Sequence, residues 1–223
     1  MENKIVSIIL FSCFTHCMRS NNLKIIVLTG LSNAGKSSIS TPTSVKYDIP
    51  ALETGVFVYK AVEEKGLPVT GENIKAVSIE AKKISDSFFT EKLIAFAREK
   101  YSDKPALFVS GVRAYSEVEY LKNEFGSQNV LVIGFHASQD TRFKRINNPD
   151  RVIQGAAKAQ EDAALKNFDN FLAREKKELD FGIGTIFAMA DHILSNDDKK
   201  YPFYDLDHNK FVFEGIVRSF IDS

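Results

Sequence analysis

The sequence lacks tryptophan, and Cys13 and Cys17 are the two cysteines among its 223 residues. Both lie within the first twenty residues, so no disulfide framework is predicted, and a reducing, cytoplasmic location is expected. The two thiols flank His16, but two sulfurs and one imidazole cannot complete a tetrahedral metal site. No second cluster of cysteine and histidine occurs along the sequence, so we expect no structural zinc.

An excess of charge of either sign is also missing, because 29 basic residues balance 29 acidic residues. We therefore expect neither nucleic acid nor an anionic membrane as a partner. The apolar run at residues 5–11 is too short to cross a bilayer, and the four residues before it are not net positive, unlike those of a signal peptide. We interpret residues 1–22 as an N-terminal extension, disordered or upstream of the true start, and residues 23–223 as one domain. A membrane anchor near the N-terminus is the less favoured alternative.

The most informative segment is the run from Gly30 to Ser37, which fits the phosphate-binding loop pattern G-x-x-x-x-G-K-[ST]. A short apolar segment at residues 24–29 precedes it, and the residues after it can open a helix. In such a setting the backbone N–H groups cradle phosphate, Lys36 reaches the outer phosphates and the Ser37 hydroxyl holds Mg²⁺. The alternative is a tight glycine turn that binds nothing. The residues predicted to bind ATP and Mg²⁺ in this loop, called the P-loop below, are Gly30, Ser32, Asn33, Ala34, Gly35, Lys36, Ser37 and Ser38.

Apolar segments alternate with helical patterns along the rest of the chain, which predicts parallel strands joined by right-handed crossovers. Because the apolar runs are continuous, both faces of the sheet should be covered, giving a three-layer α/β/α domain with ligands at the carboxyl ends of the strands. The helix after the P-loop contains Pro42 and is expected to be short or distorted. The predicted strands are residues 24–29, 49–52, 106–110, 129–135 and 192–195.

Arginines follow several of these strand ends, and converging arginines are suited to neutralise a phosphoryl group during transfer. The alternative is that they pair with helix carboxylates such as Glu175 or Glu178. Asn196 follows the last strand and could contact the edge of adenine, although it also fits a common turn. The arginines predicted to be catalytic, together with Lys36, are Arg113, Arg142, Arg145 and Arg174.

Three segments, residues 110–113, 142–145 and 174–184, resemble an archaeal family of uncharacterised P-loop proteins related to nucleoside monophosphate kinases and dephospho-CoA kinases. The resemblance implies a five-stranded parallel sheet in the order 2-3-1-4-5, with a helical lid at about residues 146–180. It also implies ATP binding and phosphoryl transfer to a small nucleotide-like acceptor, bound near Thr54, Gly55 and Arg113. We expect a monomer or a homodimer.

The chain departs from that family at the acceptor side. Family members usually carry Asp-Gly-x-Arg where this chain has Ser110 to Arg113, and Gly-Asp followed by Arg where it has Gly55, Val56 and Tyr59. Glu53 and Asp86 are candidate replacements for the missing carboxylate. Because phosphoryl transfer depends on positioned charge and metal, two alternatives stay open: a catalytically weakened nucleotide-binding regulator and a slow NTP hydrolase.

Overall fold

The computed structural model describes residues 23–148, 163–197 and 205–223. The predicted extension at 1–22, with both cysteines, and residues 149–162 of the predicted lid lie outside the described residues. Five strands form one sheet in the order β2-β3-β1-β4-β5, and every neighbouring pair is parallel. The predicted strand order is therefore confirmed. The strands are β1 (Lys24–Thr29), β2 (Ala51–Glu53), β3 (Ala106–Ser110), β4 (Val130–His136) and β5 (His192–Ser195).

Helices connect the strands, as the alternating pattern predicts, and a short 3₁₀ turn (Ser127–Asn129) precedes β4. The long helical region after residue 70 is divided in two where Ser85 and its neighbours interrupt it. The α-helices of the described ranges are α1 (Lys36–Lys46), α2 (Thr54–Glu64), α3 (Gly71–Ile84), α4 (Phe88–Lys100), α5 (Tyr115–Phe125), α6 (Gln139–Ile146), α7 (Phe168–Asp180), α8 (Ile183–Ala188) and α9 (Leu206–Asp222).

The core lies on both faces of the sheet, because successive side chains of β1 point to opposite sides. Ile25 and Val27 join the cluster on one face, whereas Ile26 and Leu28 join the cluster on the other. All four are buried. The three-layer α/β/α fold is thus confirmed, and it brings the carboxyl ends of five strands to one edge.

The expectation that the helix after the P-loop is short is wrong, since α1 continues for 11 residues through Pro42. A proline inside a helix removes a hydrogen bond and costs about 3 kcal/mol. Packing offsets this cost: Ile39 is fully buried in the same cluster as Phe213 and Val217 of α9. Tertiary contacts therefore decide the length of this helix, against its local propensity.

Two helices begin at well-defined points in the chain. Helix α2 begins at Thr54, directly after β2. Helix α9 begins at Leu206, where Asp205 accepts a hydrogen bond from the His208 amide. Across the described ranges 23–148, 163–197 and 205–223, no helix has the length and apolar character needed to cross a membrane.

Candidate functional site

The P-loop joins β1 to the N-terminus of α1 through three left-handed backbone turns. Gly30, Asn33 and Gly35 have φ angles of 131°, 65° and 97°. Residues other than glycine and asparagine rarely adopt such positive φ angles. Glycine is also required for space, because a Cβ on Gly35 would lie 2.0 Å from Nδ2 of Asn196. The loop therefore leaves the first amides of α1 without helical partners at the carboxyl edge of the sheet, where an anion is favoured.

Lys36 folds back over this loop. Its Nζ donates hydrogen bonds to the carbonyl oxygens of Gly30, at 2.6 Å, and of Leu31, at 3.0 Å. Burial of the ammonium lowers the pKa of Lys36 to about 8, opposed by the negative charges of Glu178 and Glu53. A desolvated cation at the centre of the loop fits a polyphosphate.

The two serines that follow Lys36 are exposed at the start of α1. The hydroxyl of Ser37 is therefore open to solvent beside the loop, where the sequence predicts a magnesium ligand. The roles of Ser37 as a metal ligand and of Ser32 and Ser38 as phosphate contacts stay predictions.

Arg145 and Asn196 hold the P-loop from outside. Arg145 donates from Nη1 to the Asn33 carbonyl oxygen at 3.1 Å and from Nη2 to the Asn196 carbonyl oxygen at 2.7 Å. The buried Asn196 side chain donates from Nδ2 to the carbonyl oxygen of Ala34 at 3.0 Å. Both residues therefore support the loop, while contact of Asn196 with adenine and a catalytic role of Arg145 stay predictions.

Asp197 fixes the start of α6, and with it the helix that carries Arg142 and Arg145. Its carboxylate accepts hydrogen bonds from the backbone N–H and the hydroxyl of Ser138, both at 2.9 Å, and from the Thr141 hydroxyl. These bonds tie the segment after β5 to the segment after β4.

Two predicted catalytic arginines meet at one carboxylate. The buried Glu178 of α7 pairs with Nε of Arg113 at 3.2 Å and with Nε of Arg174 at 3.0 Å. Gly182 permits a close approach here, since its φ is 106° and an added Cβ would lie 3.3 Å from the Arg113 carbonyl oxygen. Glutamate pairing, the alternative predicted for these arginines, is what the structure shows. The Glu178 carboxylate is buried, whereas the Arg113 side chain is 44% exposed.

Arg142 lies in a second, more deeply buried pair. Its Nε and Nη2 donate to Oε1 of Glu175 at 2.9 and 2.5 Å, and its Nη1 donates to the carbonyl oxygen of Ala137. Both side chains of the pair are less than 10% exposed. Arg142 therefore anchors α7 to the sheet edge in this arrangement, and its contact with a phosphoryl group stays a prediction.

The acceptor side contains less charge. Thr54 is buried against the backbone after β3, and a Cβ on Gly111 would lie 2.5 Å from its Oγ1. Ser110 donates from its hydroxyl to the Leu52 carbonyl oxygen at 3.3 Å. Val56 and Tyr59 of α2 are 45% and 42% exposed. Substrate binding by Thr54 and Gly55 stays a prediction, and Thr54 visibly serves packing.

A cavity of about 110 Å³ lies between the P-loop and α8. Leu31, Phe135, Ile183 and Phe187 form apolar walls, and His136 lies on its rim with its ring 6.2 Å from that of Phe187. The cavity can accept a small apolar group beside the loop, so the polyphosphate region and an apolar surface are contiguous.

Sequence comparison relates the chain to curated archaeal proteins. It is 30% identical over 174 residues to a UPF0200 protein of Thermococcus sibiricus, covering 78% of this chain and 86% of the relative. A UPF0200 protein of Pyrococcus abyssi is 31% identical over 175 residues, covering 78% of this chain and 88% of the relative. The chain belongs to the UPF0200 family. No family model matches it.

Solved structures similar to this UPF0200 chain are P-loop kinases in fold. A shikimate kinase from Bacteroides thetaiotaomicron superposes with a TM-score of 0.51 at 16% identity, covering 87% of this chain and 98% of the kinase. A kinase-like protein of Chloroflexus aurantiacus gives the same TM-score at 13% identity, with 89% and 97% covered. At these identities the likeness concerns the fold alone.

Three side chains of this UPF0200 protein have roles that sequence reasoning missed: Glu175 and Glu178 as buried partners of arginines, and Asp197 as the acceptor that holds Ser138, the N-cap of α6. The alternative prediction had Glu175 and Glu178 pairing with the arginines on an exposed helix face. The available signal is spacing. Glu175 and Glu178 are three residues apart and share one face of α7, and Arg174 lies four residues before Glu178.

Proposed function

We propose that this UPF0200 protein binds ATP with Mg²⁺ in its P-loop and transfers a phosphoryl group to a small nucleotide-like acceptor of the nucleoside monophosphate or dephospho-CoA type. The observation that carries the proposal is the desolvated ammonium of Lys36, held within the loop by the carbonyl oxygens of Gly30 and Leu31. An ammonium group at the N-terminus of a helix, beside unpaired backbone N–H groups, is suited to polyphosphate.

The arginines around the loop support transfer rather than binding alone. Arg145 contacts the P-loop directly, and the charges of Arg113 and Arg142 act on Lys36. Arg174 shares the Glu178 carboxylate with Arg113. Bound ATP would supply the phosphoryl group, with Mg²⁺ at Ser37 offsetting its charge. The chain's own part is to orient that group, to exclude water and to neutralise developing charge with guanidinium groups, which is most effective where solvent is excluded.

Isothermal titration calorimetry with ATP and Mg²⁺ tests the binding step. We expect the unaltered chain to bind and Lys36→Ala to bind at least tenfold more weakly, because a charge-assisted contact to phosphate is lost. Lys75→Ala is the matched control, since Lys75 is exposed on α3, away from the P-loop. Absence of binding in the unaltered chain, or equal binding by Lys36→Ala, would contradict the proposal.

A screen of nucleoside monophosphates and dephospho-CoA tests the transfer step. The expected result is ADP release that one acceptor stimulates and that Lys36→Ala abolishes. ADP release that no acceptor stimulates would favour slow NTP hydrolysis instead.

A second function, nucleotide binding by a regulator with weakened catalysis, is favoured by the acceptor side. Val56 and Tyr59 stand where the family usually carries Asp and Arg, and Ser110 stands where it usually carries Asp. This function predicts ATP binding without acceptor-stimulated turnover across the same screen.

A further inference from the structure

Strand pairing places Glu53 beside Ser110, at the carboxyl edge of the sheet. In the parallel ladder between β2 and β3, Glu53 is the register partner of Ser110. Both are the last residues of their strands, so both lie at the carboxyl edge where the P-loop lies. A side chain on Glu53 can therefore reach the same region as a side chain on Ser110.

The Glu53 side chain lies across the glycine that follows Ser110. Its Cγ is 3.3 Å from the place where a Cβ on Gly111 would be, and its Oε1 is 3.7 Å from the corresponding place on Gly55. Glycine at both positions leaves the carboxylate room to turn. The residue is exposed, and its negative charge acts on Lys36.

Glu53 differs from the other acidic groups near the loop in its hydrogen-bond and ion-pair partners. Glu178, which also acts on Lys36, is bonded to Arg113 and Arg174, and Glu175 is bonded to Arg142. Within the described ranges, no hydrogen bond or ion pair engages the Glu53 carboxylate. It is the acidic group beside the loop that can take a cation without breaking an existing pair.

We propose that the Glu53 carboxylate, at the end of β2, is a partner of the magnesium ion that accompanies the nucleotide. Mg²⁺ in nucleotide sites is held by one or two carboxylates in addition to phosphate, and keeps several waters. The inference rests on the proposed function, because it requires ATP and Mg²⁺ at the P-loop.

The test measures ATP affinity by calorimetry, once in the presence of Mg²⁺ and once in the presence of EDTA. Both measurements are made on the unaltered chain and on Glu53→Gln. The quantity measured is the ratio of the two affinities. We expect Glu53→Gln to lower this ratio by about tenfold, as loss of an outer-sphere partner does, while the affinity in EDTA stays the same. Glu119→Gln on α5 is the matched control, because it removes one exposed carboxylate elsewhere and should leave the ratio unchanged.

A rescue sharpens the test. Adding Ser110→Asp to Glu53→Gln should restore the ratio, since the two positions are register partners. Loss in Glu53→Gln without recovery in the double variant would overturn the equivalence of the two positions. An unchanged ratio in Glu53→Gln, with binding still dependent on Lys36, would overturn the inference and leave the proposed function standing. If the unaltered chain does not bind ATP, both are overturned.

Discussion

The two sides of the site differ in how completely they are built. On the nucleotide side, Arg145 and Asn196 fix successive carbonyl groups of the P-loop, and the half-buried Lys36 bonds to two more of its carbonyl oxygens. On the acceptor side, the exposed positions at the start of α2 are occupied by Val56 and Tyr59. The proposed function therefore predicts that nucleotide binding and the use of an acceptor depend on different residues, and that the acceptor side can be altered without loss of ATP binding.

Helix α7 lies between these two sides and depends on buried charge. Glu175 pairs with Arg142 from α6, and Glu178 pairs with Arg113 from the segment after β3. Breaking a buried pair by removing one partner is costly, because the other charge stays buried. The largest predicted effect follows from this.

Glu175→Ala should lower the free energy of unfolding by about 3 kcal/mol, since it leaves the Arg142 guanidinium uncompensated. Urea denaturation followed by circular dichroism measures the change. Glu80→Ala is the control, because Glu80 and Lys65 form an ion pair with both side chains exposed, and such pairs contribute little. Equal effects of the two substitutions would show that α7 is not held by the buried pair.

Gly35→Ala should destabilise the fold by about 2 kcal/mol and abolish ATP binding, because alanine at a φ of 97° is strained and its Cβ would meet the Asn196 side chain. Thermal melting and calorimetry provide the two readouts. The matched control is Gly215→Ala within α9, where nothing lies within 4 Å of an added Cβ; it should be neutral or slightly stabilising. Retention of ATP binding by Gly35→Ala would contradict the prediction that the P-loop cannot accommodate a side chain at this position.

Restoring charge to the acceptor side should raise activity without changing binding. The combination of Val56→Asp and Tyr59→Arg should increase acceptor-stimulated ADP release by tenfold or more, because positioned charge dominates phosphoryl transfer. ATP affinity, measured by calorimetry in parallel, should stay within about threefold, as these positions lie outside the P-loop. A change in affinity with no change in turnover would contradict the separation of the two sides.

The pH dependence of ATP affinity offers the smallest predicted effect. The pKa of Lys36 is about 8 in the free protein, and phosphate favours the charged ammonium, so binding raises that pKa. Affinity should therefore be constant below pH 8 and fall by about tenfold by about pH 9, as the ammonium loses its proton.

Calorimetry in buffers of different ionisation enthalpy should also detect proton uptake on binding near pH 8. Lys36→Arg keeps its charge over this range and should give a flat profile. A decline of equal size in Lys36→Arg would assign the pH dependence to another group.

Sequence reasoning placed the P-loop from a short-range pattern, whereas the strand order came from the family resemblance, since no local pattern fixes which strands pair. It misjudged α1, where Pro42 lowers local propensity but Ile39 packs against α9. It selected four arginines as catalytic candidates, yet it could not choose between phosphate and glutamate as their partners. The choice depends on which face of α7 turns toward the sheet edge.

The sequence by itself determined the loop, because glycines at set spacings, a lysine and a preceding apolar strand act locally on the backbone. Tertiary structure alone decided the partners: Asn196 bonds to Ala34 across 162 positions, and Arg142 to Glu175 across 33. Contacts between segments so far apart depend on how the crossovers return to the sheet, and the burial that makes those pairs strong exists only once the layers have packed.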